Sequence, residues 1–375
     1  MNIAPFAIEE YFALYEFQVP HLLCASDCEA LTVAELLALA GRPLTDLGSL
    51  HLGYTESQGH PALRQAIAGQ YAQVPPQAVV FLGAPEEGIY LAMQTLLEPE
   101  DEVIVLLPAY DSLRNVAAHI CGPGRVKPWP LTPAGQGWQL DLAQLHRLIT
   151  PQTRLLIVNF PHNPTGFLPT LAELQAIIEI ARQHNLWLFC DEIYRGLELP
   201  GRDTLPSAAD LYERSLVLAG LSKVHGLPGL RAGWLIIHDE ALRQRLINWK
   251  HYTTICAAAP TEFLAQAALA AHPQLVARSR RIINDNLAAA NAFFARWPDL
   301  FVWRPQQAGS VALVGVNQPS ATTFCRQLID EAGVLLLPGP YLGYDDRHVR
   351  LGTGRVNFPA ALAHLEAYLQ TWPGG

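Results

Sequence analysis

An α/β fold built on a mostly parallel sheet is predicted for this chain, on three observations. Short apolar runs alternate with helical patterns between about residues 60 and 250. Those runs are continuously hydrophobic rather than alternating, as in strands covered on both faces. Half of the 375 residues are hydrophobic and only 16% are charged, enough apolar surface for a large buried core.

The strands are expected at 79–81, 103–107, 155–158, 186–190, 216–218 and 234–237. Between them, the pattern over 171–184 sets Leu174, Ile177, Ile178 and Ala181 on one helical face, with Glu173 near the start. Strand then helix, repeated, gives a mostly parallel sheet. From Pro273 the character changes. A long helix over 275–297 leads to strands at 301–303 and 311–316, a helix at 321–332 and a strand at 349–352. That reads as a second, α+β domain. The expected division is a large domain over 46–270, with a small one from 1–45 and 271–375.

Net charge is −9, which argues against nucleic acid as a partner, since phosphate backbones need a basic surface. Cys24, Cys28, Cys121, Cys190, Cys256 and Cys325 are scattered without zinc-ligand spacing, so no metal is expected and the thiols read as reduced and cytosolic. The first sixteen residues carry Glu9, Glu10 and Glu16 and no basic cluster, unlike a signal peptide. No apolar run is long enough to cross a bilayer. A cytoplasmic protein is the expectation.

Three motifs carry chemistry. The first is Leu218-Ala-Gly-Leu-Ser-Lys-Val-His-Gly-Leu-Pro-Gly-Leu-Arg-Ala-Gly-Trp234, where Lys223 follows a strand in a Gly-rich segment. A lysine that attacks an aldehyde needs a fixed position and a depressed pKa; a surface lysine in a turn gives the same pattern. The second is Asn159-Phe-Pro-His-Asn-Pro-Thr-Gly166, directly after a strand. Ligands of open α/β sheets bind at such carboxyl ends, although Asn-Pro-Thr-Gly is also ordinary turn chemistry. The third is Asp191-Glu-Ile-Tyr194, at another strand end. Its acid can cap a helix or hold a cofactor cation.

Together, Asn163-Pro-Thr-Gly, Asp191-x-x-Tyr194 and Ser222-Lys223 with Arg231 resemble the class I/II aminotransferases of the fold-type-I pyridoxal-phosphate (PLP) enzymes. Order and spacing match as well as residue type. The resemblance runs from about residue 50 to 355. It implies a large domain on a mostly parallel seven-stranded sheet, a small domain, and pyridoxal 5′-phosphate as cofactor. By that resemblance Lys223 joins the cofactor aldehyde and shuttles a proton. Asp191 pairs with the ring nitrogen, Tyr194 and Asn163 hydrogen-bond the ring oxygen, and Arg231 with Ser222 binds the phosphate.

Looser matches extend the set. Tyr110, in Pro108-Ala-Tyr, resembles the aromatic residue that stacks on the ring. Tyr54 resembles the tyrosine that reaches the neighbouring subunit's phosphate, which implies a homodimer with shared sites. Gly83-Ala-Pro-Glu-Glu-Gly88 falls where the family places its phosphate loop, and suggests Ala84 and Glu86 as cofactor contacts. It departs from the pattern: Pro85 lacks an N–H, and Glu86 and Glu87 bring negative charge, so their side chains are expected to point away. Gly220 stands where the family often has Ser or Thr. Arg350, in His348-Val-Arg-Leu-Gly-Thr-Gly, resembles the arginine that grips the substrate carboxylate, with Arg355 as runner-up.

The reaction expected is transfer of an amino group between an amino acid and a 2-oxo acid. The opening of the chain, with Leu23-Cys-Ala-Ser-Asp-Cys28, is similar to capreomycidine-synthase-like members, so a PLP-dependent lyase or cyclase is the alternative. A non-catalytic sensor domain is disfavoured, because no basic DNA-binding helix precedes Tyr54. The pocket for the substrate side chain is expected near Ser26, Ser310 and the partner subunit.

Overall fold

The computed structural model describes residues 3–372. Seven strands form the main sheet: β1 (Val79–Leu82), β2 (Glu102–Leu107), β3 (Val126–Pro130), β4 (Thr153–Asn159), β5 (Trp187–Asp191), β6 (Ser215–Gly220) and β7 (Gly233–Ile237). Their spatial order is β1-β7-β6-β5-β4-β2-β3. Only β7 runs against its neighbours, antiparallel to both β1 and β6. The seven-stranded, mostly parallel sheet is as anticipated.

Both faces of the sheet are buried, which accounts for the unbroken apolar runs. Phe81, Ile104, Leu156, Leu188, Val217 and Ile236 join one core. Their chain neighbours Leu82, Val105, Ile157, Phe189, Leu218 and Leu235 join the other. Helices Leu171–Gln183 and Ala259–Ala270 pack on the first face; Pro85–Leu96 and Glu240–His251 pack on the second. The helix at 171 opens with a capping box between Thr170 and Glu173, which fixes where β4's crossover connection turns helical.

Strand β3 is absent from the expectation drawn from sequence. Pro128 and Pro130 lie within it, and proline breaks a strand pattern unless the strand is an edge. It is an edge here: among the described residues, β3 pairs with β2 alone.

A second, four-stranded antiparallel sheet contains Phe301–Val302, Val311–Val316, His348–Gly352 and Leu337–Pro338, in that order. Helices His272–Arg296 and Phe358–Leu369 contribute to the core beside it. The N-terminal segment joins this part of the molecule: His21–Leu22 pairs in parallel with Val334–Leu335, and the Gly352 N–H donates to the Leu23 carbonyl. A Cβ on Gly352 would sit 1.8 Å from the Ala25 carbonyl oxygen, so only glycine lets residues 25–29 lie against that strand. That contact carries the N-terminal segment over the carboxyl ends of β4, β5 and β6. Among the described residues, no helix is long and apolar enough to cross a membrane.

Candidate active site

A cavity of about 160 Å³ opens where those strand ends meet the N-terminal segment. Asn159 and Asp191 end β4 and β5 in register. Asn159 Nδ2 donates to the Asp191 carbonyl at 2.8 Å, and Asn159 Oδ1 accepts from the Asn163 N–H at 2.7 Å. One side chain thus ties together the two loops that carry Asn163 and Asp191.

Asp191 is buried, and its carboxylate accepts from the Ile193 N–H at 3.0 Å. Burial pushes its carboxyl up to about 7, against the opposing pull of the Ile193 hydrogen bond and of Lys223. A carboxylate so placed is stabilised by a cation brought in by a ligand. Tyr194 is also buried. Its hydroxyl lies near Ser26 but makes no hydrogen bond of good geometry, and burial raises its pKa. A buried hydroxyl without a partner costs free energy until a ligand satisfies it.

Lys223 sits between antiparallel β6 and β7. The segment is closed by the Leu227 N–H on the Leu221 carbonyl and the Gly226 N–H on the Lys223 carbonyl. Its Nζ donates to Ser26 Oγ at 2.8 Å. Burial holds the amine below the usual lysine range, Arg350 adds to that, and Asp27 opposes it. The feature expected of an aldehyde-attacking lysine, a depressed pKa at a fixed position, is present. Ser222 beside it is buried and lines the same cavity.

Arg231 follows β6 in a left-handed turn (φ 50°) and is exposed, with one long hydrogen bond to the Pro228 carbonyl. The N-terminus of helix Pro85–Leu96 faces the same part of the cavity, with Ala84 as its N-cap. The two acids of its first turn behave differently. Glu87 turns away: it accepts from the Gly83 N–H at 2.9 Å and from the Thr253 and Thr254 hydroxyls at 2.7 Å each. Glu86 does not turn away. It lines the cavity and accepts from Ser112 Oγ at 3.2 Å, contrary to expectation.

Gly220 is explained by Pro85. A Cβ at residue 220 would lie 2.9 Å from Pro85 Cγ and 2.8 Å from the Ala232 carbonyl oxygen. The proline ring occupies the space that a hydroxyl side chain at 220 needs.

Arg350 is only 2% exposed and meets no carboxylate among the described residues. Its Nε and Nη2 donate to the Cys24 carbonyl at 3.2 and 2.9 Å, and Nη1 reaches Asn163 Oδ1 at 3.4 Å. Arg355 is committed elsewhere, in a two-point contact with Asp27 at 2.7 and 3.1 Å. Of the two candidates, only Arg350 opens onto the cavity.

Tyr110 lines the cavity and donates to Glu9 Oε1 at 2.8 Å. Tyr54 is not brought there. It is 93% exposed, on a loop pinned by Thr55 to the Ala257 carbonyl and by Ser57 to the Ile255 carbonyl.

The sequence profile of the family "Aminotransferase class I and II" matches residues 22–366. The chain belongs to the class I and II aminotransferases. Their cofactor, pyridoxal phosphate, fits the residues present: a buried carboxylate, an unsatisfied buried hydroxyl, a pKa-lowered lysine and an exposed arginine surround one cavity. Among the relatives of this aminotransferase-family chain is an arginine–pyruvate transaminase of Pseudomonas aeruginosa, 33% identical over 81% of this chain and 78% of that protein. Capreomycidine synthase of Streptomyces vinaceus is 28% identical over 98% of this chain and 94% of its own. Two solved structures superpose closely. A PLP-dependent aminotransferase from Streptococcus suis gives a TM-score of 0.92 at 29% identity, covering 99% and 98% of the two chains. The PLP-dependent cyclase OrfR gives 0.90 at 27% identity, over 99% and 98%.

Sequence reasoning missed Ile8, Glu9 and Phe12. All three line the cavity from helix Ala7–Tyr15. Ile8 and Phe12 are four apart and Glu9 and Phe12 three apart, so one helix face carries them. That spacing was readable; its destination was not.

Proposed function

We propose that this enzyme transfers the amino group between an amino acid and a 2-oxo acid. The supporting observation is that buried Arg350, free of any carboxylate partner among the described residues, opens onto the same cavity as the Lys223 amine. One group suits a substrate carboxylate and the other a proton on the adjacent carbon.

Pyridoxal phosphate supplies an electrophilic carbon and an electron-withdrawing ring when bound. In this reading Asp191 holds the proton on the ring nitrogen. Asn163 and Tyr194 hydrogen-bond the ring oxygen. Tyr110 stacks on the ring. Arg231 and Ser222 bind the phosphate beside the helix start at Ala84. Arg350 orients the substrate by a two-point contact with its carboxylate. Lys223 Nζ would be the base that takes and holds the proton of the substrate Cα.

The same reading makes the enzyme a homodimer, with Tyr54 reaching the partner's phosphate site. Leu52, Tyr54, Tyr252 and Ile255 are 77%, 93%, 82% and 52% exposed on segments bonded to one another, an apolar patch that suits a subunit interface. Residues 46–270 then form the large domain, and 1–45 with 271–375 the small one. The cytoplasm is the proposed location.

A second reading, cyclisation or elimination, is favoured by one observation. Capreomycidine synthase and OrfR are similar along nearly the whole chain, including the segment whose Ser26 holds Lys223. The deciding experiment is a single half-reaction without acceptor. Loss of the cofactor's aldehyde absorbance with release of a 2-oxo acid supports transamination, whereas ammonia together with a 2-oxo acid supports elimination. Borohydride reduction is expected to attach the cofactor to Lys223, and Lys223→Ala to abolish turnover. Full turnover in that variant would overturn the assignment.

A further inference from the structure

This inference deepens the aminotransferase reading and rests on it. The cavity lining holds three cationic side chains, Lys223, Arg231 and Arg350, and three carboxyls, Glu9, Glu86 and Asp191. The proposed loading gives nearly every charge a counterpart. The cofactor phosphate meets Arg231, the substrate carboxylate meets Arg350, and the ring nitrogen meets Asp191. Lys223 is consumed as an uncharged amine. Glu9 and Glu86 are left over.

Neither has a cation within ion-pair distance among the described residues. Each accepts only from a neutral hydroxyl, Glu9 from Tyr110 at 2.8 Å and Glu86 from Ser112 at 3.2 Å. Burial raises the Glu86 carboxyl to about 7, Glu9 and Asp191 push it the same way, and Ser112 and Arg231 oppose the rise. Glu9 is exposed at the cavity and Glu86 is half-buried beside it, so a cation seated between them would meet one solvated and one desolvated carboxylate.

The position of Glu9 says which part of a substrate supplies it. Helix Ala7–Tyr15 lies along the cavity from Arg350 to Tyr110. Phe12 sits 5.7 Å from the Arg350 guanidinium, and Glu9 is one turn earlier at Tyr110. Three residues of helix rise about 4.5 Å. A substrate held by its carboxylate at Arg350 therefore has a long side chain beside Phe12 and its end at Glu9. We propose that Glu9, reinforced by Glu86, selects amino acids with a long cationic side chain, a guanidinium or terminal ammonium.

The test compares L-arginine with L-citrulline, its neutral near-isostere, and L-lysine with L-norleucine, using the holoenzyme. A charge-assisted hydrogen bond to a carboxylate corresponds to roughly 10- to 100-fold in kcat/KM or Kd. The expected preference is about 30-fold for the cationic member of each pair. Glu9→Gln should shrink that ratio to below about threefold, and Glu86→Gln should shrink it partially. Tyr110→Phe removes the Tyr110–Glu9 hydrogen bond but keeps the carboxylate, and the ratio should stay above about tenfold. Binding is read separately with α-methylarginine and α-methylnorleucine, which lack the Cα proton; their Kd ratio should follow the same order.

Equal use of citrulline and arginine by the wild type would overturn the inference, as would a ratio that Glu9→Gln leaves intact. If neutral amino acids react with the cofactor and cationic ones do not, only this inference fails. If no amino acid changes the cofactor absorbance, the aminotransferase reading fails first.

Discussion

Asn159 and Asp191 stand in register at the carboxyl ends of adjacent parallel strands, and the Asn159 amide donates across that step to the Asp191 carbonyl while its oxygen accepts from the Asn163 N–H of its own loop. The relationship turns two neighbouring loops into one rigid floor. Asn163 and Asp191, proposed to hold opposite edges of the cofactor ring, then cannot drift apart.

Asn159→Ala tests this. It removes the acceptor of the Asn163 N–H and one of the donors to the Asp191 carbonyl, the other being the Phe160 N–H. Buried hydrogen bonds of this kind contribute roughly 1 kcal/mol each, more when a group is left unsatisfied. The expected result is cofactor affinity about tenfold weaker or more, with a fold that persists by circular dichroism. Titration of cofactor into the stripped protein measures it. Unchanged affinity would show that the loops hold without the clamp.

The fold and most of the candidate site were legible in the sequence because both depend on local signals. Six of seven main strands are continuous apolar runs; Asp191 ends one of them, and Asn163, Lys223 and Arg231 lie in loops that follow such runs. What was not legible depends on contacts between distant parts of the chain. Lys223 meets Ser26, which is 197 residues away, and Arg350 meets Cys24, 326 residues away. Neither pairing has a local pattern. Helix Ala7–Tyr15 carries no motif that points to the site, and its place there depends on the close packing of residues 25–29 against Gly352. Glu86 was misjudged for a related reason. Its sequence position suggested repulsion from a phosphate, whereas its bond to Ser112 turns it toward the cavity.

The packing of Pro85 against Gly220 gives a second prediction. Gly220→Ser places a Cβ within 2.9 Å of Pro85 Cγ and 2.8 Å of a backbone oxygen. Overpacking of a buried site costs about 1–3 kcal/mol. Thermal unfolding is expected at lower temperature, with weaker cofactor binding because Pro85 begins the helix at the proposed phosphate end. Pro85→Ala in the same chain should recover part of the loss. A double-mutant cycle measures the coupling. Strictly additive effects would mean that the two residues do not compete for one space.

The buried carboxyl of Asp191 gives a prediction with a definite sign. Burial raises it from the usual 3.8 to about 7 in the folded protein. Between those values the folded chain keeps a proton that the unfolded chain releases, so stability falls as pH rises through this window. The penalty is complete above about 7 and absent below about 4. Asp191→Asn carries no such penalty. In cofactor-free protein the stability of the variant relative to wild type should therefore improve from pH 5 to pH 8, by up to roughly 3 kcal/mol. Glu86 and Glu192 are raised the same way and are present in both proteins, so the difference between them reports residue 191 together with its repulsion of those two carboxyls. Bound cofactor should reverse the order at pH 8, because a protonated ring nitrogen stabilises a carboxylate and not an amide. Melting temperatures of both proteins at pH 5, 6.5 and 8, with and without pyridoxal phosphate, measure both signs. A variant that is less stable than wild type in the cofactor-free state at pH 8 would show that the Asp191 carboxylate is already paid for by the protein itself, leaving no vacancy for a cation on the ring.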